Sequence, residues 1–375
     1  MYIFLAILIG LFTILFLITL HEFAHFVIAK LSGAYIYEFA IGMGPKILQW
    51  GKKETRYTLR LLPLGGYVSV ASEIADAPKG REAEVVDPKR MMENLHRGKK
   101  AIFISAGALM NLLLAFILLM VGYGIYPYKY DPNLLPTYAS KGPLADAVEK
   151  YNLANPTIPI LSSSEITHIW NTGDGDHSSD KNIKSYYDLQ KWLNSYNKKY
   201  NDVISDYQIT FFDNDKVNKL VTFKPEDQKG TLFIGVSQRS YHLSSGSVFS
   251  EGIIDAFKDS YSLLQALGQL VTFHWQNISG PVGIVKSTNS FLNPDLSATQ
   301  GASTYFRWAA LLSSNLFLLN MLPIPPLDGY KFVENAVEAA TRKKLNTKYK
   351  TIVTIAGALL FLIIFVAITI KDIFF

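Results

Sequence analysis

The first twenty residues, MYIFLAILIGLFTILFLITL, contain no charged side chain. As a helix they extend about 30 Å, one hydrocarbon thickness of a bilayer. A segment of this kind must satisfy its backbone polar groups internally, which commits the chain to helical, membrane-type architecture from its first turns. A secretory leader would need a basic start and a small-residue cleavage site. Neither precedes Glu22, the first charged residue, so the segment is read as a retained span. Similar clusters recur at about 101–126, about 303–322 and about 351–370. A further stretch, 253–275, sets Ile253, Phe257, Tyr261, Leu264 and Val271 at helical spacing among polar residues, which predicts an amphipathic surface helix. With 49% apolar and 18% charged residues, the chain is not expected to be freely soluble or disordered. The absence of cysteine removes disulfide scaffolds, Cys-ligated metals and thiol nucleophiles.

Loop charge supplies an orientation. Residues 30–100 hold 13 Lys or Arg against 8 Asp or Glu, whereas 127–255 hold 13 against 16. Residues 331–350 are again basic, with Lys331, Arg342, Lys343, Lys344, Lys348 and Lys350 against Glu334 and Glu338. Positive loops stay on the cytoplasmic side, so four alternating spans place 30–100 and 331–350 inside, 127–300 outside and both termini outside. The net charge of +5 is small for this length and points to membrane orientation rather than nucleic acid.

The fold class expected is a polytopic α-helical membrane protein with four transmembrane helices and an outer α+β domain. The segments are 1–30, the first span; 31–100, a cytoplasmic-side region; 101–126, the second span; and 127–250, the outer domain. They continue as 251–300, an amphipathic helix and linker; 301–329, the third span; 330–350, a cytoplasmic segment; and 351–371, the fourth span. Within the outer domain, Tyr207–Phe212, Leu220–Phe223 and Thr231–Val236 read as strands, 212–216 as a turn, and Ser185–Tyr196 as a helix. The run NTGDGDHSSDK at 171–181 lacks EF-hand spacing and reads as a solvated loop.

The chemistry concentrates at the end of the first span. His21-Glu22-Phe23-Ala24-His25 is an HExxH motif. On a helix, residues four apart lie about 40° apart in projection, so both imidazoles share one face and can grip one zinc ion. Glu22 is on the same side, placed to take a proton from a water molecule that the metal activates. Three ionisable groups continuing an apolar helix cost several kcal/mol unless paired or metal-bound, which weighs against a merely solvated helix end. Two histidines supply two ligands, and a catalytic zinc usually takes three from protein. The other histidines, at 96, 168, 177, 242 and 274, offer no spacing partner. The best carboxylate is Asp328 in NMLPIPPLDG (320–329), whose three prolines break the third span. Irregular backbone at that depth is tolerated only where it lines a cavity. Spans one and three run in the same direction, which brings Asp328 to the depth of His21 and His25.

Six motifs then fall in order: HEFAH at 21–25, FAIGMGPKI at 39–47, YTLRLLPLGGYV at 57–68, GALMN at 107–111, SGPVGI at 279–284 and NMLPIPPLDG at 320–329. With them the chain resembles the site-2 protease family of intramembrane zinc metalloproteases, in particular bacterial regulators with an extracytoplasmic PDZ-like domain. The resemblance implies Zn2+ held by His21, His25 and Asp328, Glu22 as catalytic acid/base, and Asn320 helping to hold the substrate backbone. It also implies that Gly65, Gly66 and Tyr67 lie in a re-entrant β-like loop beside the site, where a β-edge replaces the hydrogen bonds of an unwound substrate helix. Single-span membrane proteins would be the substrates, in a bacterial cytoplasmic membrane, with the site toward the cytoplasmic face and no role for nucleic acid. GALMN has Ala108 where the family usually has proline, and Ser164-Glu165 replaces an expected Gly-Asp in the PDZ-like domain. Two other readings compete: a zinc peptidase acting on soluble peptides at the membrane surface, and a non-proteolytic scaffold with a partner-binding outer domain.

Overall fold

The computed structural model describes residues 2–374 apart from 52–53, 74–76, 131–134, 173–180, 200–205, 213–217, 228–231, 238–239, 272–280, 295 and 344. The expected loop at 171–181 and the turn at 212–216 fall largely outside the described residues, as do His177, His274 and the first two residues of the SGPVGI motif. The chain divides into two units, Met1–Pro127 with Ser244–Phe375, and Tyr128–Leu243.

The first unit is built on long helices. Helix α1 (Tyr2–Ser32) is apolar on every side, which suits a span and not an amphipathic surface helix. It ends in a Schellman motif: Gly33, at φ 83°, donates to Lys30 O, and Ala34 donates to Ala29 O. Helix α2 (Arg97–Ile125) is capped by His96, whose ring accepts from the Gly98 amide. Its buried residues include the small or polar Gly107, Ala108, Asn111, Ala115 and Gly122, and small residues let neighbouring helices approach closely. Its outer stripe, Leu109, Leu113, Ile117 and Val121, is exposed at the four-residue spacing of one helix face.

Further helices complete the unit. Helices following the second unit's segment are, for the first unit, Ser245–Val271, Pro281–Ser287, Asn289–Leu292, Ala298–Met321, Asp328–Thr341 and Thr347–Phe374. Among the described residues, three helical segments are long and apolar enough to cross a membrane: Phe4–Ser32, Arg97–Ile125 and Thr347–Lys371. The last of them exposes Ile352, Ile355, Leu359, Leu362, Ile363 and Phe365, a surface suited to hydrocarbon rather than water. The expected third span, Ala298–Met321, is helical over 24 residues but is not among those three. Its polar side chains are spent on packing: Ser303 donates to Gly122 O and Ser313 to Asn111 O, each at 2.7 Å.

The helix Ser245–Val271 covers most of the stretch expected to be amphipathic. Ala256 and Ser260 are buried, Ser260 donating toward Ser314 O at 3.3 Å, whereas Ile253, Phe257, Tyr261 and Leu264 are exposed. Periodicity identified the two faces correctly, but the polar one is turned into the protein.

Between α1 and α2 lies a β-hairpin of two bent strands, β1 (Ile36–Trp50) and β2 (Arg56–Val70). Each folds on itself. Residues 36–41 pair with 66–70 on one side and with 56–59 on the other, while 43–50 pair with 57–62. Among the described residues, 66–70 therefore has a strand neighbour on one side only, leaving an open edge.

The second unit holds helices α3 (Pro143–Ala154) and α4 (Tyr186–Lys199) and a four-stranded antiparallel sheet. In sheet order its strands are Lys181–Asn182, Glu165–Asn171, Tyr207–Phe212 and Asn218–Phe223. Burial alternates along Tyr207–Phe212 and Asn218–Phe223, the signature of a sheet with one face on a core. That core includes Leu144, Val148, Ile169, Leu189, Ile209 and Phe211, and burying each large side chain contributes about 1.5–3 kcal/mol. The predicted strand at Thr231–Val236 resolves into two short pieces, Leu232–Phe233 and Val236–Ser237.

Candidate metal centre

HExxH occupies the C-terminal half of α1, where helical spacing brings the rings of His21 and His25 to 4.8 Å between centroids. Their Nε2 atoms are 3.2 Å apart. After Met321 the chain leaves the helix, passes the prolines and re-enters helix at Asp328. Asp328 Oδ2 lies 3.2 Å from His21 Nε2 and 3.1 Å from His25 Nε2. These three residues form the one group of potential metal ligands found among the described residues.

The donor set fits zinc. A tetrahedral centre with bonds of about 2.0–2.1 Å sets its donors about 3.3 Å apart, close to the separations observed. Two imidazole nitrogens and a carboxylate oxygen at these separations can share one cation. Gly107 of α2 backs onto the same point: a Cβ built there would overlap the Nε2 atoms of both histidines. The absence of a side chain at 107 leaves the space that a metal would fill.

Each histidine is also held from behind. His25 Nδ1 donates to the main-chain carbonyl of Phe103 at 2.7 Å, since a carbonyl only accepts. His21 Nδ1 is 3.1 Å from the side-chain amide of the fully buried Asn111. Lys331 takes the other carboxylate oxygen of Asp328, with Nζ 3.2 Å from Oδ1, which leaves Oδ2 toward the histidines.

A cavity of about 270 Å³ joins these groups, lined by His21, Glu22, His25, Val68, Asn320 and Asp328 among others. Glu22, Asn320 and the three candidate ligands thus share one chamber. Gly66 adjoins it: a Cβ there would lie 3.5 Å from Glu22 Cγ. The side-chain positions of Gly65 and Tyr67 lie away from the cavity. Alternation along the strand turns Val68 toward the cavity and Tyr67 away. The Tyr67 hydroxyl donates to Glu38 Oε2 at 3.0 Å, and Arg60 bonds Glu38 Oε1 at 3.0 Å. Tyr67 therefore braces the hairpin, and only its backbone belongs to the edge. Gly65 points toward Met43, whose methyl would lie 3.2 Å from an added Cβ. Burial raises the pKa of Glu38, but hydrogen bonds from Thr58, Tyr67 and Arg60 outweigh it and hold the carboxyl below its usual range. The Tyr67 phenol is pushed up by burial and by its bond to Glu38.

The roles of Gly107, Asn111, Phe103 O and Lys331 were not anticipated from sequence. GALMN marked two of them by resemblance without saying what they touch.

Comparison with known proteins agrees with this chemistry. The model of peptidase family M50 matches residues 9–364. A protein of Clostridium perfringens provisionally named a zinc metalloprotease is 30% identical over 369 residues, covering 96% of each chain. One from Clostridium acetobutylicum, with the same provisional name, is 28% identical over 95% of this chain and 94% of its own. A third, from Streptococcus pneumoniae, is 27% identical over 95% of this chain and 96% of its own. With the matched region running through both HEFAH and the Asp328 turn, the chain belongs to peptidase family M50, the site-2 protease family of zinc metalloproteases.

Proposed function

We propose that this metalloprotease is an intramembrane endopeptidase that cuts spanning segments of single-span membrane proteins already shortened outside. His21, His25 and Asp328 are its zinc ligands and Glu22 its acid/base. The observation that carries the reading is the meeting, in one cavity between apolar helices, of that donor trio, Glu22 and the open strand edge at 66–70.

Bound zinc supplies Lewis acidity, polarising the scissile carbonyl and lowering the pKa of water. The protein's own groups do the rest. The backbone of Gly66–Val70 pairs with the unwound substrate, replacing hydrogen bonds lost from its helix. Asn320 holds the substrate backbone from the opposite side. A Glu22 carboxylate oxygen takes a proton as water adds to the carbonyl carbon, then delivers it to the amide nitrogen as the C–N bond breaks. Water is consumed and two chain ends are released.

Loop charges support four spans, with Ala298–Met321 as the third, both termini outside a bacterial cytoplasmic membrane, and the site toward the cytoplasm. A reporter active only outside is expected to work when fused at position 200 and to fail at 80 and 345; activity at 80 would reverse the orientation. Residues 127–250 form a PDZ-like outer domain whose bulk excludes substrates with large outer portions.

The decisive experiment reconstitutes the purified protein in vesicles with a single-span reporter and compares a soluble peptide of the same sequence. The spanning reporter should be cut at least about tenfold faster, because only it is concentrated at the depth of the cavity. Equal rates would favour a surface peptidase. No cleavage of either by zinc-loaded protein would favour a scaffold.

A further inference from the structure

The two histidines of the metal centre are held by different kinds of partner. His25 Nδ1 faces a main-chain carbonyl, which can only accept, so its Nδ1 carries the proton and its Nε2 lone pair is free for metal. His21 Nδ1 faces the side-chain amide of Asn111, which can donate or accept. Asn111 has no exposed surface, and its main-chain carbonyl accepts from Ser313 Oγ at 2.7 Å, pinning the residue between α2 and the helix Ala298–Met321. With Nδ2 toward the ring, Asn111 Oδ1 is buried without a hydrogen-bond partner, which is unfavourable inside protein.

That arrangement suits a His21 whose proton sits on Nε2, donated toward Asp328 Oδ2 at 3.2 Å. Such a ring cannot ligate. When Nε2 turns to metal, Nδ1 must carry the proton and needs an acceptor. The same amide rotated by about 180° puts Oδ1 in the place of Nδ2, and the two orientations have nearly the same shape.

We propose that Asn111 is a positioning residue for the metal centre: its side-chain oxygen accepts from His21 Nδ1–H and holds His21 as a ligand through Nε2. The amide thereby stands to His21 as the Phe103 carbonyl stands to His25. This rests on the reading of His21 as a zinc ligand. Groups behind ligating histidines typically change metal affinity by about 10–100-fold when removed.

The test is zinc affinity, measured by competition with a coloured chelator on full-length protein in detergent at fixed pH. Asn111→Leu keeps the volume and removes the acceptor, so affinity should fall at least about tenfold with the melting temperature near that of the wild type. Asn111→Asp keeps an acceptor and cannot donate, so affinity should stay within a few-fold of the wild type. Wild-type affinity in N111L, or equal losses in N111D and N111L, would overturn the proposal: the first would mean that the amide only fills space, the second that it donates. If N111D does not fold, the N111L result alone decides. His21→Ala separates the two levels of the argument. Zinc lost in H21A but unchanged in N111L sinks this proposal alone, whereas zinc retained in H21A sinks the ligand assignment on which it rests.

Discussion

Glu22→Gln is expected to leave close to one zinc per chain while lowering turnover by about 10²–10⁴-fold, the usual span for loss of a positioned general base. The side chain keeps its volume, so the chamber it shares with Asn320 and Asp328 is preserved and the histidines keep their backing. What disappears is the oxygen that receives a proton. Elemental analysis reads the first half of the expectation, and cleavage of a single-span reporter reads the second. Cleavage at the wild-type rate would remove Glu22 from the mechanism.

Gly107→Ala should abolish zinc binding without unfolding the protein. In the middle of a helix, alanine is favoured over glycine by about 0.5–1 kcal/mol, so α2 itself gains from the change. The added methyl, however, overlaps both histidine Nε2 atoms, where the metal belongs. Zinc content should fall below about a tenth of an equivalent, as in Asp328→Ala, since two remaining ligands hold metal weakly. Gly124→Ala is the control in the same helix, because a Cβ there meets nothing within 4 Å. Its zinc content should equal that of the wild type. Zinc retained in Gly107→Ala at an unchanged level would mean that the ion does not sit between the two Nε2 atoms.

Much of the site was legible because its logic is local or topological. His21 and His25 are one helical turn apart, so spacing alone places both rings on one face. Asp328 followed from the expectation of two parallel spans and from a proline-broken segment. The parts that were not legible depend on what meets what across helices. Nothing in GALMN says that Gly107 abuts the histidines or that Asn111 reaches His21, since those contacts arise only once α1 and α2 are packed. The resemblance implied a β-like loop at Gly65–Tyr67 but not the doubled pairing of residues 36–41, because register is a tertiary property. Tyr67 shows the same limit: its neighbours place it on the edge, and the pleat then turns its ring away from the cavity.

The helix Ser245–Val271 illustrates a different limit. Amphipathicity marks two faces without naming their environments. In water the apolar face turns inward, but beside α2 the small and polar face does so, leaving Ile253, Phe257 and Tyr261 outward. The helix Ala298–Met321 likewise turns serines inward, as contacts to main-chain carbonyls of α2.

The most direct test of the account is zinc per chain, by elemental analysis of wild-type protein, Glu22→Gln and Asp328→Ala purified side by side in detergent. The account predicts values close to one, close to one and below about a tenth, because Asp328 completes the ligand set while Glu22 stands outside it. A full equivalent of zinc in Asp328→Ala, or its loss from Glu22→Gln, would contradict it.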